Sequence, residues 1–193
     1  MTQTRLDKLD LALPQTQCRQ CGFDGCRAYA TAMDQGLAPI NRCAPGGKKG
    51  IIKLAKILDT EILDLDPEYG HEVPLAFARI RAKECIGCSW CIPVCPTGAI
   101  AGAPKHLHAV LEDRCTGCAL CLPACPMDAF RWVEPGREWT EEDARKAKAN
   151  YEFMLQHREK REKRRNALLE SRRAPQRKNL IASLMAQVQK KNG

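Results

Sequence analysis

What this chain of 193 residues lacks narrows it quickly. No long hydrophobic run opens it. MTQTRLDKLDLALPQ has neither an apolar h-region nor a small-residue cleavage site, so no export is expected. Only 17 residues precede Cys18, and they include Arg5, Asp7, Lys8 and Asp10, whereas a membrane-spanning helix needs about 20 mostly apolar residues. The expected location is therefore the cytoplasm, or the cytoplasmic face of the inner membrane as a peripheral protein. The segment APGGKKG lacks a phosphate-binding loop: Arg42 and Cys43 stand where its leading glycine belongs, and no Ser or Thr follows the lysines. No Rossmann fingerprint is present, which leaves any nicotinamide or flavin to a partner. No motif for reading DNA or RNA appears, and no side chains are set out for acid–base or nucleophilic work. No enzyme activity of the chain's own is expected.

Cysteine is what it has in excess, with twelve residues in two spacing classes. The pattern C-x2-C-x2-C-x3-C-P occurs twice, as Cys85, Cys88, Cys91, Cys95, Pro96 and as Cys115, Cys118, Cys121, Cys125, Pro126. ECIGCSWCIPVCPTGAI and RCTGCALCLPACPMDAF match at 8 of 17 positions, so the unit is an internal repeat of 30 residues. This is the run of bacterial two-cluster ferredoxins, in which three cysteines of one copy hold a cubane and the fourth ligates the other cluster. It predicts one cluster on Cys85, Cys88, Cys91 and Cys125, and another on Cys115, Cys118, Cys121 and Cys95. Zinc is the rival metal, but zinc sites usually use two separated pairs of ligands rather than three thiolates at successive spacing. A disulfide framework is the other rival, and it is disfavoured in a reducing compartment.

Cys18, Cys21, Cys26 and Cys43 form a third quartet, spaced C-x2-C-x4-C-x16-C. Gly22 and Gly25 lie in its loop, where a tight wrap calls for positive φ and for backbone N–H groups aimed at sulfur. By itself this spacing also admits a zinc knuckle. The segment LPQTQCRQCGFDGCRAYATAM followed by INRCAPGG resembles the cluster domain of the iron–sulfur B-subunit of the Rnf/Rsx electron-transport complex, and the order of this domain before a two-cluster ferredoxin domain is the same. The resemblance covers about residues 5–133. It implies that all twelve cysteines are ligands of three [4Fe-4S] clusters. It further implies redox partners: other subunits of such a complex, and a low-potential ferredoxin or flavoprotein donor. The family's N-terminal membrane anchor is not expected in this chain.

The expected fold class is α+β. A small helical cluster domain (1–60) is followed by an acidic linker (61–74), a two-cluster ferredoxin domain (75–134) and a basic helical tail (137–193). Helices are predicted over Arg5–Leu13, from Gly25 to about Gln35, and over Lys48–Leu58, the last with Ile51, Ile52, Ala55 and Leu58 on one face. Strands are predicted at Phe77–Arg81, Ala99–Ala101, Leu107–Leu111 and Ala129–Val133, as two small hairpins. His106 and His108 alternate on one of these and read as solvated rather than as metal ligands; Trp90 reads as packing that shields a cluster, with partner docking also compatible. Residues 141–173 read as a solvated helix with i,i+4 charge pairs, broken at Ala174–Pro175. Beyond the break, Leu180, Ile181, Leu184, Met185 and Val188 make an apolar stripe.

Charge is segregated. Residues 137–193 carry 16 Lys and Arg against 8 Asp and Glu, and the rest of the chain has 15 of each. Each four-thiolate cubane would add a charge of about −2 when oxidised, so the cysteine-bearing body turns acidic opposite a basic tail. That tail suits an anionic membrane surface or an acidic protein, with nucleic acid the less favoured partner. The rival functions are a metal-stabilised interaction protein and a nucleic-acid-associated iron–sulfur protein.

Overall fold

The computed structural model describes residues 3–191, with side chains to 173 and at 177, 187 and 188. The chain divides into two units, Met1–Glu152 and Phe153–Gly193. The first contains two hydrophobic cores, one for each cysteine-rich segment.

Helix α1 (Arg5–Ala12) starts where Thr4 and Asp7 cap each other reciprocally. It stops short of Pro14, because the residue before a proline is pushed out of helical conformation. α2 (Cys26–Asp34) and α3 (Gly47–Leu58) complete a three-helix cluster. Its buried centre is Leu9, Leu13, Tyr29, Ala30, Met33, Ile51, Leu54 and Ala55. The stripe on α3 differs from expectation: Leu54 is buried and Ile52 is 44% exposed. Successive helical residues turn by about 100°, so Ile52 and Leu54 leave Ile51 in opposite directions and only one can face the core.

The acidic connector is strapped to this cluster. Asp66 N–H donates to Asn41 O (3.0 Å), and Asn41 Nδ2 donates to Asp64 O (2.8 Å). The Glu72 carboxylate accepts from Lys48 N–H (3.3 Å) in the first turn of α3, where the helix dipole favours an anion. A Cβ on Gly47, which sits at φ +53°, would fall on that carboxylate.

The second core lies between two short antiparallel sheets. β1 (Phe77–Ile80) pairs with β4 (Phe130–Val133), Phe77 opposite Val133 and Ile80 opposite Phe130. β2 (Ile100–Ala101) pairs with β3 (Ala109–Val110). Only β2–β3 is a hairpin, so the expectation of two hairpins is corrected. Each sheet instead joins the strand before one repeat to the strand after the other, which carries the end of each repeat across to its neighbour. The one-turn helix α4 (Cys91–Val94) lies within the first repeat.

The repeat recurs in the backbone. Gly87 and Gly117 sit at φ +69° and +68°, and Ser89 and Ala119 at +65° and +62°. A Cβ on Gly87 would meet His106 backbone atoms at 2.7 Å, and one on Gly117 would meet Ala76 O at 2.5 Å, so glycine is required by space as well as by φ.

α5 (Glu141–Lys191) begins inside the first unit. Thr140 and Asp143 form a second capping box, which Arg137 closes with two bonds to the Asp143 carboxylate. Ala144 and Ala147 are buried, Trp139 Nε1–H donates to Pro14 O (2.9 Å) and Lys148 pairs with Asp10. Residues 137–152 therefore belong to the compact unit, not to a detached tail.

In the second unit the helix continues through Ala174 and Pro175, where a break was expected. One proline removes one backbone donor and costs about 3 kcal/mol in a helix interior. Here it stands in a run rich in strong helix formers, which oppose that cost. The side chains from 153 to 173 are mostly exposed, and i,i+4 pairs such as Lys163–Glu159 line the surface. The side chains of Leu180, Ile181, Leu184 and Met185 lie outside the described residues, and Val188 is exposed. Among the described residues no helix is long and apolar enough to cross a membrane.

Candidate functional site

All twelve cysteines are free thiols. The structure gathers them into three groups of four.

Cys18, Cys21, Cys26 and Cys43 line one small hollow with Leu13, Thr16 and Tyr29. The loop that wraps it takes left-handed conformation at Gln15, Gln17 and Arg19, with φ of 58°, 56° and 64°. Buried Gln17 holds the loop: its Oε1 accepts from Cys26 N–H (2.9 Å) and its Nε2 donates to Gln15 Oε1 (2.8 Å). Tyr29 Oη donates to Pro39 O (2.7 Å) and accepts from Arg42 N–H (3.1 Å), tying α2 to the strand of chain that brings in Cys43.

Cys115, Cys118 and Cys121 line a second small hollow, and the fourth cysteine in its wall is Cys95 from the first repeat. In the third group Cys85, Cys88 and Cys125 all lie near enough to Cys91 to act on its thiol electrostatically. The crossed strand pairing produces both exchanges. Backbone amides point at the crossed sulfurs in matching fashion, Ala99 N–H to Cys95 Sγ (3.1 Å) and Ala129 N–H to Cys125 Sγ (3.4 Å).

Burial pushes the thiols of Cys26 and Cys121 up to about 12, and those of Cys91 and Cys118 up to about 11. Cys21, Cys43 and Cys115 are also raised, chiefly by burial, with neighbouring cysteines adding to it. Four thiolates in so confined a space need a cationic group among them, and binding one expels their protons. Among the described residues no three His, Cys, Asp or Glu side chains converge tightly enough to hold a single ion. Four cysteine sulfurs are the donor set of a [4Fe-4S] cubane and equally of a four-cysteine zinc site.

Two of the sites touch. Thr16, in the wall of the N-terminal hollow, accepts at its carbonyl from Thr116 Oγ1 (2.9 Å), and Thr116 lines the Cys95 hollow. Its repeat counterpart Ile86 is 58% exposed, against 4% for Thr116.

Two expectations are corrected. His108 is not solvated: it is 3% exposed, with Nδ1 3.9 Å from Cys85 Sγ and 3.7 Å from Cys91 Sγ. His106 does face solvent, its Nδ1 2.9 Å from Pro104 O. Trp90 is not packed inside, being 63% exposed, while its neighbour Cys91 is 4% exposed. Gln17 and Thr116 also escaped the sequence reading. Thr116 stands opposite Ile86 inside the repeat alignment, and extending that alignment upstream pairs His108 with Ala78; these mismatches were the available signal for Thr116 and His108.

Residues 78–131 match the family described as "4Fe-4S dicluster domain", and residues 13–45 match "Putative Fe-S cluster". The chain is also similar to proteins named as the B-subunit of an ion-translocating oxidoreductase complex. That of Azoarcus sp. (strain BH72) is 50% identical over 107 residues, 55% of this chain and 58% of the relative. That of Thiobacillus denitrificans is 50% identical over 107 residues, 57% of its length, and that of Hahella chejuensis 51% over 106 residues, 53% of its length. The chain thus spans a little over half the length of the curated relatives it matches. Over that stretch it is similar to proteins named as the B-subunit of an ion-translocating oxidoreductase complex, the Rnf/Rsx-type iron–sulfur family that its cysteine motifs also resemble.

Proposed function

We propose that the chain carries electrons through three [4Fe-4S] clusters, as the iron–sulfur subunit of an Rnf/Rsx-like complex or as a soluble relative of it. Cys18, Cys21, Cys26 and Cys43 hold the first. Cys85, Cys88, Cys91 and Cys125 hold the second, and Cys115, Cys118, Cys121 and Cys95 the third. The observation that carries this reading is the gathering of twelve thiols into three quartets inside one compact unit, two of them in contact through Thr16 and Thr116. Such clusters supply one-electron chemistry, with potentials set by hydrogen bonds to sulfur, burial and nearby charge. The protein's own contribution is to hold the sulfurs, to exclude water with Leu13, Tyr29, Ala78 and Ile100, and to aim amides at the ligands.

Ile86 and Trp90, next in sequence to Cys85 and Cys91, are exposed, and this thin cover suits exchange with another redox protein. The partners are then other subunits of the complex and a low-potential ferredoxin or flavoprotein donor. The basic second unit adds contact with an anionic membrane surface or an acidic protein, at the cytoplasmic face of the inner membrane.

Iron and acid-labile sulfide, measured on anaerobically purified protein, test the proposal. About twelve of each per chain are expected from three cubanes. About eight would mean that the N-terminal site holds something else. Tightly bound zinc without labile sulfide would replace electron transfer with a metal-stabilised interaction protein.

A further inference from the structure

The two ferredoxin repeats are alike in backbone and differ at a buried position beside the sulfurs. Seven residues before its first cysteine the second repeat has His108, and the first repeat has Ala78. Because the strands cross, His108 lies against Cys85 and Cys91, while Ala78 lines the hollow of Cys95, Cys115, Cys118 and Cys121. One site therefore meets an imidazole where the other meets a methyl group.

The surroundings settle what the imidazole does. Its Nδ1 is 3.9 Å from Cys85 Sγ and 3.7 Å from Cys91 Sγ, and its Nε2 is 3.3 Å from Ser89 Oγ. A sulfur bound to iron has no proton to give, so Nδ1 must be the donor. The hydroxyl of Ser89 can donate to Nε2, so the neutral tautomer with hydrogen on Nδ1 satisfies every contact. The ring also has little freedom to leave: a Cβ on Gly102 would lie 1.9 Å from its Cδ2, so the backbone passes directly over it.

Resting on the iron–sulfur reading above, we infer that His108 donates a hydrogen bond to the sulfurs of Cys85 and Cys91 and makes the first-repeat site the more easily reduced of the ferredoxin pair. A donor to sulfur favours the more negative, reduced state, one of the recognised levers on potential. No proton is transferred and no bond breaks. One electron arrives from an external reductant, and the hydrogen stays on Nδ1. His108 is a positioning residue, and the asymmetry gives the two otherwise repeated sites a direction.

The test is a redox titration of the intact protein followed by electron paramagnetic resonance, with signals assigned through Cys88→Ser and Cys118→Ser. His108→Leu should lower the potential of the first-repeat site by about tenfold in its reduction equilibrium, about 59 mV for one electron, and leave the second-repeat site unmoved. His108→Asn, which keeps a donor near the Nδ1 position, should recover most of the shift. Ser89→Ala should give a smaller shift of the same sign. In wild-type protein carrying nitrogen-labelled histidine, pulsed resonance should detect a histidine nitrogen coupled to the first-repeat signal, which needs no variant to fold. Lack of that coupling, or equal potentials in wild type and His108→Leu, overturns the inference while leaving electron transfer in place. Wild-type protein with no cubane signals at all overturns both.

Discussion

Cys95 belongs to one repeat by sequence and stands among the cysteines of the other in space. Cys95→Ser should therefore weaken the signal that Cys115→Ser removes, and Cys125→Ser should weaken the one that Cys85→Ser removes. Loss of the same signal in Cys95→Ser and Cys85→Ser would show that each repeat is self-contained, contrary to the proposed ligand sets. Asp10 is the other residue whose role depends on distant chain. Its carboxylate is 1% exposed and faces Arg27 (3.3 Å), Lys148 and Gln15 Nε2 (3.0 Å). Arg27 is half exposed, so Lys148 is the better shielded cation. Lys148→Met should lower the unfolding free energy by about 2 kcal/mol, the scale of a hydrogen bond to a charged group. Anaerobic urea titration of both proteins measures it, and a change below about 0.5 kcal/mol would show that α5 does not anchor on α1.

At the scale of elements, short capping signals decide where helices begin. Thr4 with Asp7 opens α1, and Thr140 with Asp143 opens α5. Arg137, and then the Thr140 contacts, hold the Asp143 carboxyl down to about 2, below its ordinary value of 3.8. The sign follows from a depressed carboxyl: its stabilisation is full above about pH 4 and disappears as pH falls toward about 2. Asp143→Asn should therefore be less stable than wild type near neutrality, by about 1 kcal/mol for the cap. Far-ultraviolet circular dichroism of the two proteins should converge as pH approaches about 2. A gap that persists at that pH would assign the effect to side-chain shape rather than charge.

For the whole molecule, the boundary at Glu152 alters what a truncation tests. Residues 153–193 hold 12 Lys and Arg against 3 Asp and Glu, so the basic character is concentrated beyond the compact unit. A chain ending at Glu152 should keep its clusters and its stability. A chain ending at Gly136 should lose stability with Trp139, Ala144, Ala147 and Lys148. Each basic residue near an anionic bilayer contributes about 1 kcal/mol, screened by salt. Co-sedimentation with anionic vesicles should therefore fall with salt for the full chain and be absent for the chain ending at Glu152. Equal sedimentation of the two would reduce the second unit to a solvated helix.

Much of this protein could be read before its structure, because ligand spacing and turn chemistry are local. Three helices, four strands, the positive-φ glycines and the candidate thiols all follow from neighbours in sequence. The 30-residue period also carries the expectation of crossed quartets, since a cysteine four residues past its partners and followed by proline is carried away from them. Non-local pairing was not legible. That β1 closes against β4, that residues 137–152 join the compact unit, and that Thr116 is covered while Ile86 is open depend on contacts made across 50 to 125 residues of chain. His108 shows the reason most plainly. Alternation on a short strand leaves a histidine equally able to face water or a thiol, and only the folding of the β2–β3 hairpin against the first repeat places it beside Cys85 and Cys91.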